Sequence, residues 1–79
     1  MHKVEIYSTA TCHYCHLAKD FFEAHNIPFT DYNVGVDTIR RAEAIQKSGQ
    51  MVVPVIIIDD QVVVGFDQNR LASLLGISA

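Results

Sequence analysis

Val55-Ile56-Ile57-Ile58 is an unbroken run of four β-branched residues, and no other stretch of the chain restricts the fold as much. Side chains branched at Cβ favour extended backbone. Successive side chains of a strand point to opposite faces, so a strand apolar at every position needs cover on both sides. A chain of 79 residues must find that cover within itself. The run therefore predicts a central strand in a small sheet, with helices above and below it.

The remaining segments fit that demand. Val4-Glu5-Ile6-Tyr7 alternates with period two and runs into the polar Ser8-Thr9-Ala10-Thr11, which reads as a strand and a loop. Cys12 to His25 has helical composition and a broad apolar face, with Asn26 as its stop. Phe29 to Val34 reads as a second strand after Pro28, closed by Gly35. Asp37 is placed to cap a helix with an apolar stripe of Ile39, Ala42 and Ile45, ending at Gly49. Asp59-Asp60 signals a turn, so Gln61 to Val64 returns as the hairpin partner of Val55–Ile58. After Gly65-Phe66, Asp67 is placed to cap a last helix with Leu71, Leu74 and Leu75 on its apolar side and Gly76 at its end. The order β-α-β-α-β-β-α predicts an α/β fold: a four-stranded mixed sheet, helices on both faces, and a parallel first pair joined by a right-handed crossover. One domain over residues 1–79 is all that the length allows.

Composition removes several classes of function. The chain is 49% hydrophobic with two prolines, which argues against disorder. Its six basic residues, Lys3, Lys19, Arg40, Arg41, Lys47 and Arg70, are scattered among nine acidic ones, so no stripe is expected to follow a nucleic-acid backbone. No apolar run approaches the ~18 residues that span a bilayer, and no membrane partner is expected. Only Met1, His2 and Lys3 precede the first strand, which leaves no apolar leader; the expected location is the cytoplasm. Two cysteines make at most one bridge, too few for a disulfide scaffold.

Cys12-His13-Tyr14-Cys15 lies where the first strand gives way to the first helix. On a helical wheel centred on Cys15, Leu17, Ala18, Phe21, Phe22 and Ala24 occupy one half; His16, Lys19, Asp20 and Glu23 occupy the other. Cys15 falls on the border and Cys12 on the polar side, so one sulfur is expected exposed and the other shielded. A helix N-terminus concentrates unpaired N–H donors and partial positive charge, which favours a thiolate there. Protonated His13 or His16 adds to that effect. A three-residue offset lets the second thiol reach whatever disulfide the first one forms. A CxxC pair opening the helix of a βαβ unit is a redox signature. Three other readings compete with it. A structural zinc ion wants about four ligands, and Cys12, His13, Cys15 and His16 are crowded together. Cys12…Cys15-His16 satisfies the string for c-type haem attachment, with Met51 as a conceivable second axial ligand, but the small core leaves little room for a porphyrin. Two buried structural cysteines conflict with the polar-side placement of Cys12.

Over nearly its whole length the chain resembles the glutaredoxins, a family of the thioredoxin fold, and most closely the short prokaryotic glutaredoxin-like proteins. The resemblance rests on Val4-Glu5-Ile6-Tyr7, Thr11-Cys12-His13-Tyr14-Cys15, Ser48-Gly49-Gln50-Met51, Val53-Pro54-Val55 and Gly65-Phe66-Asp67. It implies a dithiol–disulfide oxidoreductase in which Cys12 is the nucleophile and Cys15 the resolving thiol. It also implies a cis Val53–Pro54 bond beside the cysteines, with Val53 offering its backbone to an extended substrate and Pro54 keeping metal ions away from the thiols. Thr11, Gly65, Phe66 and Asp67 would complete a substrate or glutathione site, the last three through N–H groups at a helix start. His13 stands where the family usually has proline and is expected to tune the redox balance; Tyr14 is expected to shape the groove. Val64-Gly65 replaces a usual pair of glycines, and Gln50 replaces a frequent basic residue. No tightly bound cofactor or metal is implied. The implied partners of this monomer are disulfide-containing proteins, and glutathione or a thioredoxin-reductase-type flavoprotein as reductant. The flavoprotein would serve a redoxin of the kind that feeds ribonucleotide reductase. A different class is a [2Fe–2S] binding module, with Cys12 of two subunits and glutathione as ligands.

Overall fold

A computed structural model describes residues 2–50 and 52–77; Met51, the conceivable axial ligand, lies outside the described residues. The elements are β1 (Val4–Ser8), α1 (His13–Ala24), β2 (Thr30–Asn33), α2 (Thr38–Ser48), β3 (Val55–Ile58), β4 (Gln61–Val64) and α3 (Gln68–Leu75). The sheet order is β2-β1-β3-β4. β1 runs parallel to β2, with Ile6 opposite Asp31. It runs antiparallel to β3, with Ile6 opposite Ile56, and β3 is antiparallel to β4. This is the expected mixed sheet, covered on both faces.

Side-chain alternation divides the interior into two cores. Val4, Ile6, Ile56, Ile58 and Val63 point to one face, where Ala18, Phe21 and Phe22 of α1 and Leu71, Ala72 and Leu75 of α3 cover them. Tyr7, Val55 and Ile57 point to the other, where they meet Val34 and Ala44. All four residues of β3 are buried, as a two-sided apolar strand must be.

Turn chemistry sets the boundaries. Asp59 and Asp60 have φ of 47° and 71°, the left-handed pair of a tight two-residue hairpin, and Ile58 faces Gln61 across it. Asp37 and Asp67 accept hydrogen bonds from the N–H groups of Arg40 and Arg70, so both act as the expected helix caps. Gly49 and Gly76 end α2 and α3 with φ of 73° and 71°.

Several expectations are corrected. The apolar stripe of α2 is not buried: Ile39 is 73% exposed, Ala42 is exposed, Ile45 is half-buried, and Ala44 is the helix's buried residue. This helix lies on the smaller core, where one short side chain fits against Tyr7 and Val55. Ala24, the last residue of α1, is exposed. β2 is shorter than Phe29–Val34; Phe29 instead packs against Phe22, with ring centroids 5.5 Å apart. His2 and His25 are on the surface as expected, but His2 pairs with the Asp59 carboxylate and His25 lies against the Phe21 ring. Among the described residues, no helix is long and apolar enough to cross a membrane.

Candidate functional site

The site begins where β1 runs out of partners. The chain leaves the sheet after Ser8 and turns back, with the Cys12 N–H donating to the Thr9 carbonyl at 3.3 Å. Cys12 then caps α1. Its backbone is extended (φ −84°, ψ 113°), and its Sγ accepts the Cys15 N–H at 3.2 Å. A cap ordinarily uses a side-chain oxygen for that bond; here sulfur takes the place. The three-residue spacing of the cysteines is therefore the spacing of the capping hydrogen bond itself.

The two sulfurs sit in different surroundings. Cys12 is half-buried, and Cys15 has no exposed surface. Burial, followed by the hydrogen bond with Cys12, pushes the Cys15 thiol from 9.0 up to about 12. His13 and Tyr14 project outward between them, Tyr14 60% exposed and the His13 ring edge-on to it at 5.7 Å. Thr11 is exposed on the approach to Cys12.

Two supports lie outside the motif, and sequence reasoning missed both. The His16 Nε2–H donates to the Ala10 carbonyl at 2.9 Å, tying the loop before Cys12 to the helix after it. Below, Lys19 Nζ lies 2.7 Å from Asp31 Oδ2, and the buried Ser8 hydroxyl donates to Asp31 Oδ1 at 2.6 Å. This chain of contacts links β1, α1 and β2 directly beneath the cysteine loop. Its sequence signal, a serine ending a buried strand and an acid in the parallel neighbour, is too common to stand out.

The Val53–Pro54 bond is cis. Pro54 is fully buried and Val53 half-buried. Gly65, with φ of 84°, donates its N–H to the Pro54 carbonyl at 2.8 Å, so the start of β3 and the end of β4 are joined there. Only glycine reaches that φ without strain. Phe66 is half-buried, its ring 6.1 Å from that of Phe21. The Asp67 carboxylate is engaged in capping α3. Among the described residues, no three His, Cys, Asp or Glu side chains are grouped as a metal ion would require.

The sequence profile of the glutaredoxin family matches residues 4–63. A glutaredoxin-like 8.6 kDa protein of the rubredoxin operon of Clostridium pasteurianum is 40% identical over 72 residues, 91% of this chain and 96% of that protein. Glutaredoxin 3 of Escherichia coli (strain K12) is 39% identical over 67 residues, 85% of this chain and 81% of that one. Among solved structures, the glutaredoxin-like NrdH-redoxin of Escherichia coli superposes with a TM-score of 0.80 at 29% identity. That match covers 91% of this chain and 93% of the redoxin, a protein described by its thioredoxin-like activity profile.

Proposed function

The chain belongs to the glutaredoxin family, and from that premise we propose that it is a dithiol–disulfide oxidoreductase with Cys12 attacking and Cys15 resolving. One observation carries the assignment of roles: the sulfur of a half-buried cysteine at a helix N-cap accepts an N–H bond from a second cysteine that has no exposed surface. Hydrogen bonds from backbone N–H groups favour negative charge on the acceptor, and burial disfavours it. The Cys12 thiolate attacks one sulfur of a substrate disulfide, and the other sulfur leaves as a thiolate that takes up a proton. Cys15 then loses its proton and attacks Cys12 Sγ, which releases the second substrate thiol. The protein keeps a Cys12–Cys15 disulfide, the substrate has gained two electrons, and an external reductant must return them. Burial pushes the Cys15 thiol up to about 12, which leaves the first attack to Cys12.

An extended substrate segment would pair with the Val53 backbone next to Pro54, as an added length of strand. Thr11 and Tyr14 would flank it, His13 would bias the stability of the oxidised form against the reduced one, and the N–H groups of Phe66 and Asp67 would meet a substrate carboxylate; the Gly65 N–H, expected to join them, is instead bonded to the Pro54 carbonyl. We place this chemistry in the cytoplasm, in a monomer of one domain.

Two reductants fit. The family as a whole supports glutathione, while the likeness to a redoxin of thioredoxin-like activity supports a thioredoxin-reductase-type flavoprotein. NADPH oxidation with a disulfide substrate separates them, followed once with glutathione and glutathione reductase and once with thioredoxin reductase. Activity in only one mixture names the reductant. Cys12→Ser is expected to abolish turnover in both; turnover that survives Cys12→Ser but not Cys15→Ser would reverse the roles. A single chain offers one accessible sulfur, so a [2Fe–2S] cluster would need a second copy and added thiols. A reddish dimer from anaerobic purification would favour that reading, and a colourless monomer would end it.

A further inference from the structure

Beside Val53, on the α2 side of the sheet, lies a cavity of about 250 Å³. That is smaller than the ~300–1,000 Å³ of sites that enclose a whole small molecule, and it suits a side chain or two. Val34, Ala44, Ile45, Val52 and Val53 give it apolar walls. Gly35 keeps one wall low: a Cβ there would stand 3.8 Å from the Thr9 methyl, itself part of the lining, and 3.1 Å from Asn33 Oδ1. Among the described residues of the lining, Arg41 is the one that carries a charge. Among the described residues it has no salt bridge and no side-chain hydrogen bond, whereas neighbouring Arg40 is paired with Glu43. The occupant this arrangement suits carries an apolar group for the walls and a negative charge for the rim.

We propose that this cavity is a side-chain subsite selecting disulfide-bearing peptides in which the cysteine is followed by an apolar residue and then a carboxylate. The proposal rests on the oxidoreductase reading and on substrate lying along Val53. Residues of an extended segment advance about 3.3 Å each, so a side chain one or two positions from the cysteine reaches past Val53. The glycine of glutathione brings a carboxylate but no side chain, and leaves the walls unfilled. Nothing in the cysteine motif expresses this preference, because the lining is drawn from the exits of β1 and β2, from α2 and from the segment before β3.

The test uses short peptides whose cysteine is a mixed disulfide with thionitrobenzoate, and reads thionitrobenzoate release by the reduced protein. Peptides with Leu-Glu after the cysteine, or Gly-Leu-Glu to allow the second register, are compared with Gly-Glu and Leu-Lys peptides and with the glutathione mixed disulfide. The better leucine peptide is expected to react about tenfold faster than the glycine peptide and the glutathione derivative. Ile45→Phe, which fills the cavity, should reduce that ratio below about twofold. Arg41→Glu, an exposed substitution without consequence for folding, should turn the preference for Glu over Lys into its opposite. Equal wild-type rates for all peptides would overturn the proposal. So would glutathione derivatives matching the leucine peptides, or an Arg41→Glu protein that still prefers Glu. Release by Cys12→Ser as fast as by the wild type would instead remove the thiol chemistry itself, and the subsite with it.

Discussion

Cys12 and Cys15 share a residue type and differ in everything that surrounds them. Cys15 takes the first buried position of α1, in line with Ala18 and Phe22, and loses contact with water. Its thiol, pushed up to about 12 against an ordinary 9.0, makes stability depend on pH. The folded protein holds this proton more tightly than the unfolded chain does. The stabilisation is complete below the unfolded value of about 9 and drains away as pH rises toward 12. Urea unfolding of the reduced protein should therefore show stability falling above pH ~9 by up to ~1.4 kcal/mol per pH unit, beyond any slope of Cys15→Ala. Identical slopes for the two proteins would mean that Cys15 ionises freely in the folded state. The expectation of one shielded and one accessible sulfur came from the helical wheel alone. The contacts of His16 with Ala10, and of Lys19 with Asp31, had no such route to discovery, because they depend on where a loop and a second strand lie in space.

At the scale of elements, the caps were readable and the burial of α2 was not. Asp37 and Asp67 stand at the first step of their helices in sequence and in space, because capping is a local bond between residues three apart. Asp67 also adjoins the proposed carboxylate site, and two substitutions separate its roles. Asp67→Ala is expected to cost about 1 kcal/mol in thermal or urea unfolding, while Asp67→Asn, an equally good cap, should leave stability unchanged. If turnover of Asp67→Asn also matches the wild type, the carboxylate contributes only by holding the start of α3. A drop in its turnover at unchanged stability would give Asp67 a direct part in substrate binding. For α2, the periodicity of Ile39, Ala42 and Ile45 suggested a buried stripe, yet Ile39 is 73% exposed. The helix meets the sheet through the short side chain of Ala44 and leaves Ile45 and Arg41 to line a cavity instead.

Across the whole molecule, β3 carries both cores at once. Ile56 has no exposed surface and sits among α1 and α3; Ile57 is 5% exposed and faces the smaller cluster around Tyr7 and Ala44. Deleting a buried isoleucine to alanine costs about 2–5 kcal/mol, and the cost rises with the cavity that cannot collapse. Ile56→Ala should lie near the top of that range and Ile57→Ala near the bottom, measured as the change in urea midpoint at constant m. A reversal would mean that α2 is packed more firmly on the sheet than its exposed isoleucine indicates.

The order of strands and helices, the two-sided burial of Val55–Ile58, the caps, and the pair of thiols at a helix mouth can all be read along the chain. These follow from alternation, local hydrogen bonding and turn preference, which act within a few residues of the chain. Packing in three dimensions sets which face each helix covers and which isoleucines stay wet. It alone set Ser8, Lys19 and Asp31 beneath the cysteine loop, and opened an arginine-rimmed cavity beside Val53. Those outcomes join residues far beyond the reach of one helical turn or hairpin, and the space between layers, which no local pattern encodes, fixes them.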